Sequence, residues 1–125
     1  FMMRLNNNFL KKFQDYNFSI INESKIFLVG SARFHDYFMK IESILQVKYK
    51  KLVAIASLDG LFNKTRFSEE EWEILQDIAL SKLKDQEAIL VLDINGYIGE
   101  HTQKEIDFFQ NKIKRPIYYL SKLKY

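Results

Sequence analysis

Cysteine is absent from this chain, so neither a disulfide framework nor thiol chemistry is open to it. Glycine and histidine are scarce, with four and two residues in 125. There is no Walker loop and no G-x-G-x-x-G fingerprint. The two histidines, His35 and His101, and the scattered carboxylates show no metal-ligand spacing, so no metal is expected. No apolar run approaches the roughly 20 residues of a membrane span. The opening Phe1-Met2-Met3-Arg4 lacks the apolar stretch of a secretory signal. Nor does one sign of charge dominate: 19 Lys and Arg stand against 16 Asp and Glu, a net +3. The basic clusters are small, Lys48 with Lys50 and Lys51, and Lys112 with Lys114 and Arg115. A nucleic-acid binder concentrates charge more heavily, which argues against that partner. These absences fit a cytoplasmic protein away from the membrane, and no cofactor is expected.

What the chain does have is a core. Hydrophobic residues make up 47 %, with eleven Phe and seven Tyr, enough for one domain with an aromatic-rich interior. Short apolar runs, near 26–30, 52–56, 89–94 and 117–120, read as strands buried on both faces. Between them lie helical periodicities. Residues 35–48 read as a helix, with Phe38, Ile41, Ile44, Leu45 and Val47 supplying its apolar positions. Ser68-Glu69-Glu70-Glu71 is a capping box that opens a helix to about Lys84, with Trp72, Leu75, Ile78, Ala79 and Leu83 inward. A third helix is expected from about Thr102 to Lys112, and Pro116 begins the last strand, where proline is tolerated. Alternating strands and helices imply an α/β fold with a parallel sheet covered on both faces. A small Rossmann-like or flavodoxin-like order 2-1-3-4 follows. Residues 25–125 would form this domain, and residues 1–24 a helix and connector, with a possible strand at 18–21. Leu5, Phe9, Leu10, Phe13 and Tyr16 give the leading helix an apolar stripe. That stripe either packs on its own sheet or meets a second subunit, and a homo-oligomer, a dimer, is the expected state.

The chemistry concentrates after the third strand, in Asn95-Gly96-Tyr97-Ile98-Gly99-Glu100-His101-Thr102-Gln103-Lys104-Glu105. This reads as a glycine-hinged loop leading into a helix, at the carboxyl end of a strand, where open α/β sheets bind ligands. Gly96 and Gly99 permit a sharp turn and a close approach. A new helix start offers free N–H groups to an anion. Glu105 can point back over the strand ends, although Thr102 and Glu105 also fit a capping box. Asp93 ends the third strand and either reaches the crevice or caps its own loop. After the first strand, Gly30 leaves room for a ligand, Ser31 can hydrogen-bond a phosphate or sugar, and Arg33 can pair with an anion. Tyr97, Phe34 and Phe62 could flank a base, His101 and His35 could serve as acid or base, and Asp59 reads as a turn residue.

The run Gly96-Tyr97-Ile98-Gly99-Glu100, with Thr102, Glu105-Ile106 and 114–120, resembles the C-terminal half of the nucleoside 2-deoxyribosyltransferase-like superfamily. Residues 26–34 are similar to that family's opening strand and loop. The resemblance covers roughly Lys25 to Leu120. It implies a nucleoside or nucleotide ligand and transfer or hydrolysis of an N-glycosidic bond. Glu105 would be the nucleophile and Asp93 its helper. Gly30, Ser31, Arg33, Gly96, Tyr97, Gly99 and Thr102 would hold the ligand. His101 departs from the serine at that position in relatives, and residues 77–82 lack the histidine many of them carry there. Two other readings stand beside this one: a non-catalytic sensor of a nucleotide-derived ligand, and an interaction protein assembled through the Phe-rich helix.

Overall fold

The structure is a computed structural model that describes residues 11, 13–56, 60 and 63–125. Most of the helix expected over residues 5–16, and both Asp59 and Phe62, lie outside the described residues.

Strand β1 (Lys25–Val29) and strand β3 (Ala88–Val91) are buried along nearly their whole length. Residues that are apolar on both sides of the pleat must be covered on both faces, and the strand order supplies this. The sheet runs β2-β1-β3-β4, with β2 at Leu52–Ala54 and β4 at Ile117–Tyr119. Every pairing is parallel, as expected from the sequence; Phe27 sits beside Ala54 and Ile89, and Leu90 beside Tyr118.

The strand period of two then sorts the core into two layers. Ile26, Leu28, Ala88 and Leu90 meet helix α1 (His35–Val47) through Phe38, Ile41, Ile44 and Leu45. Phe27, Val29, Ile89 and Val91 meet Leu83 of helix α2 (Glu69–Leu83), and Ile106 and Phe109 at helix α3 (Glu100–Phe108). A single π-helical turn, Phe109–Ile113, prolongs α3 and ends at Lys114, which is left-handed at φ 60°. Pro116 and β4 follow at once. No helix among the described residues is long and apolar enough to cross a membrane.

Three local expectations change. Residues 18–21 form no strand: Phe18–Ile20 is a 3-10 turn, because the Asn17 side chain accepts the Ser19 N–H and draws the chain round. Val47 lies on the outer side of α1, 46 % exposed. Ile78, expected inward, is 50 % exposed, and the buried residues of α2 are Ala79 and Leu83, both late in the helix. The N-terminal half of α2 therefore stands off the sheet, and the space beneath it is the candidate site.

What starts α2 there is its cap. Ser68 Oγ accepts the Glu71 N–H at 3.2 Å, and Glu71 Oε1 accepts the Ser68 N–H at 2.9 Å. These bonds hold Glu71 below the usual carboxylate range. Ser68→Ala should cost about 1 kcal/mol and lower Tm by about 4 °C. Thermal unfolding followed by circular dichroism checks this; an unchanged Tm would mean that the cap carries no stability.

Candidate functional site

The site is built where β1 and β3 end. After β1 the chain passes Gly30, whose missing side chain is a packing requirement. A Cβ there would lie 3.1 Å from Leu92 Cβ and 3.2 Å from the Phe38 ring. The freedom at Gly30 thus serves the close approach of α1 to β3. Ser31 then caps the short 3-10 turn Ala32–Phe34, its Oγ accepting the Arg33 N–H at 3.3 Å.

After β3, Asp93 is buried and turned toward the C-terminal turn Leu120–Lys122. Its Oδ1 accepts the Ser121 N–H at 2.9 Å and its Oδ2 the Ser121 hydroxyl at 2.5 Å. Both oxygens are used in tying β3 to the turn after β4, and Asp93 does not line the cavity described below. The chain reverses next at Asn95 and Gly96, both left-handed, at φ 54° and 77°. Asparagine tolerates that region and glycine adopts it freely. Gly99 has ordinary backbone angles and nothing close to its Cβ position beyond the Tyr97 ring, so Gly96 alone of the pair needs to be glycine.

Gly99 is also the N-cap of α3, which begins at Glu100, two residues ahead of the expected start. Thr102 is consequently inside the first turn and buried, and no Thr102–Glu105 capping box forms. The shift has a chemical consequence. Glu105 is carried past the helix start and faces the space between α3 and α2.

That space is a cavity of about 330 Å³. Gly30, Ser31 and Ala32 close it on the β1 side, Ala56 beyond β2, and Gly60 beside it. Trp72, Leu75, Gln76 and Ala79 of α2 form one wall, and Tyr97, Gly99 and the first turns of α3 the other. Of the residues expected to bind, Gly30, Ser31, Tyr97, Gly99, Thr102 and Glu105 come together here, while Gly96 and Arg33 do not line it. Arg33 instead lies over the Tyr97 ring, 4.0 Å from its centroid, and donates to the Tyr97 hydroxyl at 3.3 Å. Phe34 meets the same ring edge-on.

Four α2 residues and one of α3 join the site without having been singled out for it: Trp72, Leu75, Gln76, Ala79 and Glu100. Trp72 and Gln76 are four apart, on one face of α2, and His101 bridges to both. Trp72 Nε1 donates to His101 Nε2 at 3.5 Å, and His101 Nδ1 meets Gln76 Oε1 at 3.1 Å. An indole N–H can only donate, so Nε2 accepts and the imidazole proton sits on Nδ1. The neutral ring latches α2 to α3 across the cavity.

Glu105 is the chemically distinctive group. It makes no side-chain hydrogen bond or ion pair with any described residue, and desolvation by burial pushes its carboxyl from the usual 4.5 up to about 7. An outer cleft between α2 and α3 also reaches it, past Trp72, Gln76 and His101. Among the described residues no group of three or more His, Asp or Glu is placed to hold a metal ion.

Fold and site together describe a small parallel α/β protein with an acid-bearing cavity at the carboxyl ends of its strands. Neither protein-family models nor curated proteins nor solved structures offer a match to the chain.

Burial of Glu105 has a stability signature. The unfolded carboxyl ionises near 4.5 and the folded one near 7, so between these values the unfolded state has lost a proton that the folded state still holds. Folding is therefore opposed increasingly as pH rises through this window, and the penalty is constant above it. At 1.36 kcal/mol per unit it is on the order of 3 kcal/mol. Glu105→Gln removes the ionisation. Urea unfolding should find the variant gaining on wild type from about pH 5 to about pH 8. A helix-capping role would instead leave it less stable at both.

Proposed function

We propose that the cavity binds a nucleoside or nucleotide and that Glu105 attacks its anomeric carbon, breaking or exchanging the N-glycosidic bond. The observation that supports this most is the unpartnered Glu105 carboxyl in the cavity, with its pKa raised to about 7. A carboxylate of raised basicity is the stronger nucleophile once ionised, and it stabilises the positive charge of an oxocarbenium-like transition state. The surroundings suit the ligand. Trp72 and Tyr97 offer ring faces to a base, and Gln76 and Ser31 offer hydrogen-bonding groups to a base or sugar. In the first step a Glu105 oxygen bonds to the anomeric carbon as the bond to the base nitrogen breaks. The bonding pair leaves on the base, which takes a proton from water. In the second step water or another base attacks the same carbon and frees Glu105.

This reading assigns Asp93 no helper role, since both its oxygens accept from Ser121 and it does not line the cavity. That same fact favours a second reading, a non-catalytic sensor, since no other acid is expected at the helper's position.

Base release from deoxynucleosides and their monophosphates, followed by chromatography, separates the two. The glycosyl-transfer reading expects release by wild type and its near loss in Glu105→Gln, with ligand binding retained. The rate should rise as pH passes about 7 and then level off, because only the ionised carboxylate attacks. Binding without release in wild type would establish the sensor, and binding of none of these ligands would remove both readings.

A further inference from the structure

We propose that the outer cleft between α2 and α3 binds a linear organic di- or polyamine, whose ammonium groups pair with Glu105 and with a row of carboxylates on α2. This site stands apart from the nucleoside reading and does not need it. The cleft encloses about 420 Å³ and shares Trp72, Gln76, His101 and Glu105 with the inner cavity, so the Trp72–His101–Gln76 bridge borders both spaces and Glu105 faces both. Its charge is lopsided. Among the described residues, four carboxyl groups line it, Glu69, Glu73, Asp77 and Glu105, against one lysine, Lys104, which lies 4.0 Å from Glu100. None of the four has a hydrogen-bond or ion-pair partner for its side chain among the described residues. Exposed carboxylates by themselves hold a cation weakly, because water screens them, and Glu69, Glu73 and Asp77 are exposed. Glu105 differs. It is desolvated, and once ionised its charge has no compensation inside the protein, which an entering cation supplies.

Spacing selects the ligand. Glu69, Glu73 and Asp77 follow one another at four-residue steps on α2, so they share one side of the helix about 6 Å apart. Two ammonium groups joined by four methylenes also stand about 6 Å apart when extended. The methylenes between them meet Trp72 and Leu80, which line the same cleft, and the indole ring attracts an ammonium. A compact metal ion suits the cleft less well, because the α2 acids stand in a row and no group of three or more among the described residues is placed to hold one. Around Glu105 the titratable groups are His101, Lys104 and Glu100 of α3, the three α2 acids, and Tyr97 across the cavity. Glu105 is about half ionised near pH 7, whereas aliphatic ammonium groups stay charged there. Below that pH the ligand must expel a proton from Glu105, and above it the carboxylate is ready, so binding tightens as pH rises.

Calorimetric titration of the whole chain with 1,4-diaminobutane and spermidine, beside butylamine and 1,4-butanediol, tests this. Trp72, the single tryptophan, reports the same event by fluorescence. Wild type should bind both polyamines, the diamine about fivefold more tightly than butylamine, and the diol not at all. Affinity for the diamine should rise about fivefold or more from pH 6 to pH 8. Glu105→Gln should lose about tenfold or more in affinity and most of the pH dependence. The double variant Glu73→Gln with Asp77→Asn should lose about twofold to fivefold, with far-ultraviolet circular dichroism confirming the fold of each protein. A wild type that binds no amine at millimolar concentration, or binds the diamine no better than butylamine, overturns the proposal. So does a Glu105→Gln variant that binds as wild type does. Each of these results is read without a nucleoside present and leaves the nucleoside reading to its own test.

Discussion

The pairing of β1 with β3 is the constraint on which the rest of the molecule depends. These two central strands carry apolar side chains on both faces, and Ile26, Phe27, Ile89 and Leu90 are fully buried. At roughly 25 cal/mol per Å² of apolar surface, such residues dominate what stabilises a domain of this size. Because both faces must be covered, helices go to both sides, and because the strands are parallel, their loops gather at one end. The cavity lies at that end between α2 and α3, beside the β1 loop.

Much of this was legible in sequence, and the reason is physical. Continuous apolar runs and a period of 3.6 are strong signals, so strand positions, parallel order and the Ser68 cap could be read directly. The start of α3 could not. Thr102-Gln103-Lys104-Glu105 satisfies the local capping pattern, but tertiary packing drew Thr102 inward and moved the start to Glu100. The stand-off of α2 was equally hidden. Its apolar residues at 72, 75, 78, 79 and 83 promise one inner stripe, whereas only Leu83 joins the core against the sheet, Trp72, Leu75 and Ala79 border the cavity, and Ile78 is half exposed. Hence Trp72 looked like core and is a cavity wall.

Asp93 teaches the complementary lesson. A strand-end aspartate is equally at home in an active site or in a turn, and nothing local decides between them. The deciding partner, Ser121, is 28 residues away and meets it only because β4 lies beside β3. Conversely, Glu105 gains its character from what fails to reach it. With Arg33 held on Tyr97 and His101 held between Trp72 and Gln76, no cation or donor among the described residues settles the carboxyl, and desolvation raises its pKa.

The central claim is that this carboxyl is held, unpartnered, in a desolvated cavity. Carbon-13 NMR titration of the glutamate side-chain carboxyls in the folded protein tests it most directly. The account predicts that the Glu105 resonance titrates near 7, well above the ordinary value of 4.5. Titration of Glu105 at or below 4.5 would contradict it, and would return that residue to the surface role of any helix glutamate.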